Sequence, residues 1–586
     1  MAEVAEPERP ERPEPPAPGR FAALRERYPV GSVVLAVTAL AGVLHVVWFF
    51  VFANSGGDLA AQDAWAEFVG RHPDSAYNLA WYGGMHPVSY SVVSPYLMSV
   101  LGVRTTMMIA GTLSAGLVTL ILFRCRGAVR NPVPPAMAAV FGLFCNAISG
   151  RVTFGLGVMF ALGAVAAVFC WPRKWARNRW GKAAVAAPLA GLATAASPVA
   201  GLFLGVVAAA LFLSARRPGA YALGLPPVII VGLSAWLFPF SGTQPMSIGT
   251  AALPFLFAVL SLVLVPPKWK TVRLAAAVYA VGVFLTWLVD SQVGSNVTRL
   301  AMLFAGAVFV AALPYTERGK RKWYALVLGF VGVNTWITIN SVNDIVHTTP
   351  AASWARELAP LVDQLQQAGT DRGRVEVVPA RSHRESSALS PYVNLARGWN
   401  RQADLERNPL FYDDTLDSEN YREWLDRWAV HYVVLSADEP DSGGKHEAEL
   451  IRSGVPYLQR VWSNENWDLF RVSRPTPLAD LPATVRRVGA GELVVDVKEA
   501  GAVRIRVPYS PWLGLVDAQG KSVEPPTEDE NIAGCLFRSA PDAEGDEWTT
   551  LLAPTPGVYR LAAPYQLPRG TACPDTLVEE AVGEGE

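Results

Sequence analysis

The polar segment between Asn54 and Tyr96, which follows the first of a series of apolar runs, carries the residues best suited to chemistry. Its acidic and histidine side chains are Asp58, Asp63, Glu67, His72, Asp74 and His86. Rigid scaffolds usually mount catalytic groups on loops, and carboxylates at a membrane surface are costly enough to need a functional reason. A carboxylate in a partly dry setting acts as a general base toward a hydroxyl group. We predict that Asp58 and Asp63 are catalytic; the alternative is that both only solvate a helix at the interface.

The sequence WYGGMHPVSYS at 81–91 combines aromatic rings, a flexible Gly-Gly pair and an imidazole. Substrate-binding surfaces need rings that stack and polar groups that form hydrogen bonds. We predict that Trp81, Tyr82, His86 and Tyr90 bind substrate. The alternatives are aromatic anchors at the membrane interface and, for His86, a cap on a turn.

A further polar stretch, DSQVGSNVTRLAM at 290–302, lies at the start of a later apolar run. The fork geometry of a guanidinium group suits a phosphate. We predict that Arg299, together with Asn296, binds a phosphate-bearing substrate. The alternative for Arg299 is an ordinary anchor whose charged end reaches the membrane surface.

The stretch LARGWNRQADLERNPLFYDD at 395–414 is rich in Arg, Trp, Asn and Asp. Trp399 and Arg401 would suit a platform that combines stacking with hydrogen bonding. We predict that both bind substrate; the alternative is a surface loop at a domain junction.

The positions of the cysteines and histidines indicate whether disulfides and metal sites are expected. Cys535 and Cys573 form an even pair in the C-terminal half, for which we predict a disulfide, with two free thiols as the alternative. No spacing of His and Cys predicts a zinc site. A divalent ion held by Asp58 and a second carboxylate remains an open alternative.

The elements that position these residues are membrane helices. The chain has 586 residues, of which 51% are hydrophobic, and a bilayer core needs about twenty apolar residues per helix. Runs of that kind predict about eleven spans at 31–53, 103–123, 134–149, 152–171, 183–196, 197–215, 220–239, 248–265, 274–290, 300–315 and 324–342. Before them, the Pro- and Glu-rich residues 1–29 predict a disordered tail.

The basic residues of the connections indicate the orientation, because Lys and Arg accumulate on the cytoplasmic side. Alternate connections carry Arg124, Arg126, Arg130, Arg173, Lys174, Arg177, Arg179, Lys182, Arg216, Arg217, Lys268, Lys270, Arg273, Arg318, Lys320, Arg321 and Lys322. The opposite set carries Arg71, Arg104, Arg151 and Arg299. We therefore predict a multi-pass protein of the cell membrane with a cytoplasmic N-terminus, an external loop at 54–102 and an extracytoplasmic C-terminal region.

The C-terminal region changes its pattern near residue 478. Residues 343–478 alternate between helix and strand patterns, with a helix at 351–368, a strand at 374–380, a helix at 421–430 and a strand at 431–437, which predicts an α/β domain. Residues 479–575 form short alternating runs between Gly, Pro and Asp, which is typical of a β-sandwich. Residues 576–586 predict a frayed acidic tail.

This arrangement resembles the class C (GT-C) integral-membrane glycosyltransferases: one span, a long external loop with an early Asp, a ladder of spans and an external domain. The stretches WYGGMHPVSYSVVSPYL, GSNVTRLAM and ARGWNRQ also resemble bacterial membrane proteins called 6-pyruvoyl-tetrahydropterin synthase-related. The resemblance implies Asp58 as catalytic base, a polyprenyl-phosphate sugar as donor and a cell-envelope glycan or lipid as acceptor. The Ala-, Gly-, Val-, Arg- and Trp-rich composition resembles that of actinobacterial proteins.

Three functions follow as hypotheses. The first is a glycosyltransferase in which Asp58 is the base, Arg299 holds the phosphate, and Trp81, Tyr82 and His86 line the acceptor cleft. The second is a secondary transporter, although no internal repeat with matching Gly or Pro breaks is found. The third is a non-catalytic protein that binds cell-envelope glycan. The net charge of −1 gives no indication of nucleic-acid binding.

Overall fold

A helix covers each of the eleven predicted apolar runs in the computed structural model, which describes residues 29–53, 56–125, 127–171, 178–348, 351–527 and 533–583. The predicted tail at 1–29 lies outside the described residues, except for Pro29 at the start of helix α1 (Pro29–Val51). The following connection holds α2 (Asp58–Arg71), α3 (Pro87–Tyr90) and α4 (Ser94–Leu101). The remaining helices of this half are α5 (Val103–Arg124), α6 (Val133–Ile148), α7 (Val152–Phe169), α8 (Arg179–Ala196), α9 (Pro198–Leu213), α10 (Arg217–Leu237), α11 (Ile248–Leu264), α12 (Lys270–Leu288), α13 (Arg299–Ala312) and α14 (Arg321–Val346).

Among the described helices, seven are long and apolar enough to cross a membrane. They are α1, α5, α7, α10, α12, α14 and the run Gly294–Tyr315 that contains α13. Helices α6, α9 and α11 are apolar but shorter, and α8 falls in neither group. The chain is thus a membrane protein with seven candidate spans, while the count of about eleven stays a prediction.

The connection between α1 and α5 packs against the C-terminal domain. The backbone N–H of Leu79 donates a hydrogen bond of 2.8 Å to the carbonyl of Ala490. Trp65 and Trp81 are fully buried in one apolar cluster with Val375 of the C-terminal domain. Aromatic side chains of this size bury about 150–250 Å² each, so this cluster holds the connection in place.

A mixed four-stranded sheet with order β1-β2-β4-β3 forms the first part of the C-terminal domain. Its strands are β1 (Arg374–Val377), β2 (Val430–Ser436), β3 (Leu458–Ser463) and β4 (Trp467–Val472). The helices around it are α15 (Ala351–Gln367), α16 (Arg384–Ala388), α17 (Arg401–Arg407), α18 (Ser418–Arg427) and α19 (Lys445–Ser453). Strands β1 and β2 are parallel, and the other pairs are antiparallel. This layer has the α/β pattern predicted for 343–478, although those boundaries stay predictions.

Two antiparallel sheets follow, with orders β5-β6-β11-β8 and β7-β10-β9. The strands are β5 (Ala483–Val488), β6 (Glu492–Val497), β7 (Gly501–Pro508), β8 (Gly514–Val516), β9 (Cys535–Arg538), β10 (Trp548–Ala553) and β11 (Gly557–Ala562). Their inner faces share one core, and a disulfide joins Cys535 to Cys573. Where the sequence predicts a frayed acidic tail, the structure has helix α20 (Asp575–Gly583). Residues 584–586 lie outside the described chain.

Candidate active site

Asp58 is the first residue of α2, at the end of the membrane helices that faces the C-terminal domain. It follows Gly57, whose φ of 61° lies in the left-handed region that favours glycine. A helix N-terminus stabilises negative charge, so this position suits a carboxylate. The side chain of Asp58 is 38% exposed and therefore open to a ligand.

Two guanidinium groups converge on one carboxylate oxygen of Asp58. Arg151 Nε lies 3.4 Å and Arg299 Nη2 lies 3.7 Å from Asp58 Oδ2. Both distances exceed the about 2.7–3.2 Å of an ordinary N–H···O hydrogen bond. The contacts are thus loose ion pairs, and both arginines keep N–H donors for a further anion.

Asp344, in the last turn of α14, extends this cluster. Its Oδ2 lies 3.9 Å from Arg151 Nη2. Arg151 Nε and Asp344 Oδ2 are both buried, and neither has a hydrogen-bond partner among the described residues. Buried polar atoms in native proteins usually have a partner, so Arg151 Nε in particular keeps hydrogen-bonding capacity for a ligand at this place.

Gln62 fixes Asp58 relative to Arg151. Its Nε2 donates to the carbonyl of Gly150, the residue before Arg151, and also to the carbonyl of Asp58 at 2.9 Å. Its Oε1 accepts a hydrogen bond of 2.8 Å from the N–H of Thr153 at the start of α7. Gln62 is 1% exposed, so this amide connects α2 to the α6–α7 turn inside the protein.

Asp63, the second predicted catalytic residue, has a different partner. Arg104 donates from Nη1 to Asp63 Oδ1 at 2.9 Å and from Nη2 to Oδ2 at 3.0 Å. This bidentate pair joins α2 to α5 and uses both carboxylate oxygens. The geometry therefore favours a structural role for Asp63, whose catalytic role stays a prediction.

Tyr90 lies beside the Asp58 cluster. Its ring stacks on Trp65 with centroids 5.8 Å apart, and its hydroxyl interacts with Thr153. Burial, reinforced by the negative charge of Asp58, raises the pKa of Tyr90, so the phenol stays protonated. Tyr90 is the residue of the predicted aromatic group that the structure brings to Asp58.

Trp81, Tyr82 and His86 are buried at contacts with the C-terminal domain. Trp81 Nε1 donates to the carbonyl of Ser386 at 3.0 Å, and the Tyr82 hydroxyl donates to the carbonyl of Asn400 at 3.2 Å. This burial gives both side chains a structural role. It leaves their predicted place in an acceptor cleft without geometric support.

His86 packs on the β-sandwich instead of on the Asp58 cluster. Its Nδ1 lies 2.8 Å from the carbonyl of Ala76, and its Nε2 lies 3.3 Å from the Ser510 hydroxyl. Burial lowers the pKa of His86 to about 4, so the ring is neutral at physiological pH. The predicted role in substrate binding has no support from this position.

Trp399 contacts the residue before α2, whereas Arg401 contacts Asp441 of the C-terminal domain. Trp399 Nε1 donates a hydrogen bond of 3.1 Å to the carbonyl of Gly57, and one face stacks on His383 with ring centroids 3.4 Å apart. Arg401 Nη2 donates to Asp441 Oδ2 at 2.6 Å. Trp399 thus holds the start of α2, and its predicted use as a binding platform stays a prediction.

Asn296 lies half-buried in the 3-10 turn Gly294–Thr298 that leads into Arg299. The sequence reasoning missed Arg151, Gln62 and Asp344 as site residues. Arg151 carried the same signal as Arg299, a lone positive charge on the side with few basic residues, but it was used only to orient the helices.

The surroundings of Asp58 do not fit a divalent cation. Its nearest charged neighbours are two guanidinium groups, which repel a cation, and Ca²⁺ or Mg²⁺ needs several oxygen ligands. Among the described residues, no group of three His, Cys, Asp or Glu side chains is placed to hold a metal ion. The geometry thus favours an anionic ligand over the open alternative of a metal.

Comparison with known proteins gives a family match and matches among solved structures. Residues 480–578 match a family model described as a domain of unknown function, DUF8823. No curated protein matches the chain. The chain is similar to a cryo-EM structure of a variant of the arabinofuranosyltransferase AftD from Mycobacteria, with 14% sequence identity and a TM-score of 0.43. The match covers 82% of this chain and 43% of that enzyme, so the chain spans less than half of its length.

Proposed function

We propose that this chain is a membrane glycosyltransferase that moves a sugar from a polyprenyl-phosphate donor to a cell-envelope glycan or lipid. The observation that carries the proposal is the convergence of Arg151 and Arg299 on Asp58. Two cations and one partly exposed carboxylate combine the groups needed to bind a phosphate and to deprotonate a hydroxyl. The resemblance of the chain layout to GT-C enzymes supports the same reaction class.

The donor phosphate binds between Arg151 and Arg299. Because neither guanidinium is within hydrogen-bond distance of Asp58, a phosphate competes for their N–H groups at little cost. Charge-assisted bonds from two guanidiniums also stabilise the phosphate as it becomes the leaving group. This use accounts for the orphaned Nε of Arg151.

An apolar groove beside Arg299 suits the hydrocarbon part of the donor. It has a volume of about 270 Å³ and is lined by Leu202, Leu285, Val289, Val293 and Val297, among others. Val297, two residues before Arg299, lines this groove, and we assign the hydrocarbon part of the donor to it on that ground. We call it the donor groove.

Asp58 acts as the general base. Once the phosphate engages the arginines, the Asp58 carboxylate accepts the proton of an acceptor hydroxyl. The acceptor oxygen forms a bond to the anomeric carbon, and the bond from that carbon to the phosphate oxygen breaks with its electron pair on the phosphate. The displacement inverts the anomeric centre, and Tyr90 supplies a neutral hydroxyl beside the reacting groups.

The proposal is tested with the purified full chain in nanodiscs and in sealed vesicles. The probes are polyprenyl phosphates that carry a radiolabelled pentose or hexose, offered with oligosaccharide fragments of the cell envelope. Radiolabel on the oligosaccharide supports the transferase. Label that enters the vesicle lumen without transfer identifies a transporter, and bound but unchanged probe identifies a binding protein; either result overturns the proposal.

A further inference from the structure

A large apolar cavity lies between the membrane helices, away from Asp58. Its volume is about 950 Å³, and helices α5, α7, α9, α12 and α13 contribute side chains such as Val118, Val165, Val207, Leu274 and Phe304. Ligand pockets usually have about 300–1,000 Å³, so this cavity is large enough for a sizeable apolar ligand. We call it the inner cavity.

One end of the inner cavity is basic. Arg216, Lys268 and Lys270 line this end and are exposed. In the part of the chain that the structure describes, no carboxylate pairs with any of the three. Glu317 is the acidic residue of the described connections that are predicted to be cytoplasmic. Its carboxylate lies 3.7 Å from Lys320 instead. The mouth therefore presents unneutralised positive charge at the edge of an apolar space.

The aromatic residues at this mouth mark the depth of a membrane surface. Lys268 Nζ lies 4.2 Å from the centroid of the Tyr315 ring, and the Trp269 and Tyr315 rings meet edge to face at 5.5 Å. Trp and Tyr collect where the lipid headgroups begin. In the orientation predicted from the basic connections, this mouth lies in the cytoplasmic leaflet, on the side opposite to Asp58.

The length of the inner cavity suits a lipid chain. Ala200 and Leu213 both line it, and thirteen helical steps of about 1.5 Å separate them by roughly 20 Å along α9. One leaflet of a bilayer is about 15 Å of hydrocarbon, half of the full core. A lipid with its headgroup at the basic mouth would thus have its acyl chains enclosed by the cavity.

We propose that the inner cavity binds an anionic phospholipid of the cytoplasmic leaflet. Arg216, Lys268 and Lys270 hold its phosphate, and the apolar walls enclose its acyl chains. Charge complementarity at the mouth selects this occupant over a neutral lipid. The site is separate from the Asp58 cluster and does not depend on the proposed transferase activity.

A competing occupant enters from the other end. The inner cavity and the donor groove share Phe203, Val206 and Tyr279 in their linings. The hydrocarbon tail of a substrate held at Arg299 could therefore continue into the same space. The basic mouth plays no part in that arrangement, so charge variants at the mouth separate the two occupants.

The test measures which lipid the full chain retains. The protein is exchanged into vesicles of equal phosphatidylglycerol and phosphatidylcholine, extracted in mild detergent and examined by native mass spectrometry. We expect the wild type to retain phosphatidylglycerol. In the triple variant Arg216→Gln, Lys268→Gln, Lys270→Gln, the preference for phosphatidylglycerol over phosphatidylcholine should be roughly 100-fold weaker, because three basic side chains are lost. An unchanged preference in that variant overturns the proposal.

Further variants make the result specific. The matched control Arg318→Gln, Arg321→Gln, Lys322→Gln removes the same charge from three residues that do not line the cavity, and it should retain the lipid. Ala275→Phe fills the cavity wall and should lose bound lipid with the basic mouth intact; Ala275→Leu replaces it if the phenylalanine variant does not fold. A retained polyprenyl phosphate that Arg299→Gln releases would assign the cavity to the substrate tail and overturn the proposal.

Discussion

The indole Nε1 of Trp399 donates a hydrogen bond of 3.1 Å to the carbonyl of Gly57, the residue before Asp58. The same indole stacks on His383, which is 5% exposed in the C-terminal domain. The C-terminal domain therefore helps to position the Asp58 carboxylate through the residue before it. Gln62, which is hydrogen-bonded to the α6–α7 turn, positions Asp58 from the membrane helices.

Trp399→Phe should lower kcat while the melting temperature changes little. The phenyl ring still stacks on His383, but the hydrogen bond to Gly57 is lost and the start of α2 is less well fixed. A hydrogen bond contributes about 1 kcal/mol, which corresponds to roughly five-fold in rate. Steady-state transfer kinetics check this, and a change in KM for the donor alone would argue for direct substrate binding by Trp399.

Trp467→Phe is the matched control for that variant. Trp467 Nε1 donates a hydrogen bond of 3.0 Å to the carbonyl of Glu357, inside the C-terminal domain. Its loss should cost similar stability and leave kcat at the wild-type value. An equal fall in kcat in both variants would mean that the Trp399 contact acts only through overall stability.

Asp63→Asn should destabilise the protein without removing the chemistry. The variant leaves Arg104 partly buried without its carboxylate, at a cost of roughly 2–3 kcal/mol. Thermal unfolding should show a lower Tm, and the double variant Asp63→Asn, Arg104→Gln should recover part of the loss. A folded Asp63→Asn protein with an unchanged Tm and no transfer would instead make Asp63 the base.

Arg151→Gln and Arg299→Gln should each weaken donor binding. A charge-assisted hydrogen bond to phosphate contributes about 1.5–3 kcal/mol, so kcat/KM should fall roughly 10- to 100-fold. Arg71→Gln is the control, since Arg71 is paired with Glu67 and its side chain is 56% exposed. Transfer rates measured over a series of donor concentrations give the effect. A wild-type kcat/KM in both site variants would contradict the binding of the donor phosphate by Arg151 and Arg299.

Glu447→Gln should change how stability depends on pH. Burial raises the pKa of Glu447 to about 7, against the opposing pull of Arg397, and Asp404 adds repulsion. The folded state therefore holds a proton that the unfolded state releases near pH 4.5, and the wild type loses stability as the pH rises from about 4.5 to 7. The variant lacks this loss, on the order of 3 kcal/mol, and should melt higher than the wild type at pH 8.

Thermal scans from pH 4.5 to 8 measure this difference, with Glu439→Gln as the control. Glu439 is 69% exposed and pairs with Arg381 at the surface, so its removal should leave the slope unchanged. Parallel Tm curves for the wild type and Glu447→Gln would contradict the assigned pKa.

Residue types and topology were sufficient to predict part of the site. Arg299 was recognised as a rare positive charge on the side with few basic residues, and Asp58 as the early acidic residue of the loop after the first span. Their predicted shared side is consistent with the contact between them, which only the folded chain shows. Asp344 lies beyond the last span predicted at 324–342, because the sequence does not show that α14 continues to Val346. The packing of that last turn beside Arg151 depends on the folded chain.

The roles of His86 and Trp399 depend on contacts between distant parts of the sequence. His86 is neutral and buried because Ser510 and the rest of the β-sandwich cover it. The sequence indicates an imidazole in a loop, but it cannot show that a domain more than 400 residues later closes over that loop. Trp399 has the composition of a binding platform, and only its neighbours Gly57 and His383 indicate a positioning role.

The most direct measurement compares sugar transfer by Asp58→Asn with that by the wild type in nanodiscs, with Glu67→Gln on the same helix as the control. Donor binding and Tm should remain, because Arg151 and Arg299 are untouched and Asp58 is 38% exposed. Transfer should fall by about 10²–10⁴-fold, the contribution of a general base. Transfer by Asp58→Asn at the wild-type rate would contradict the account.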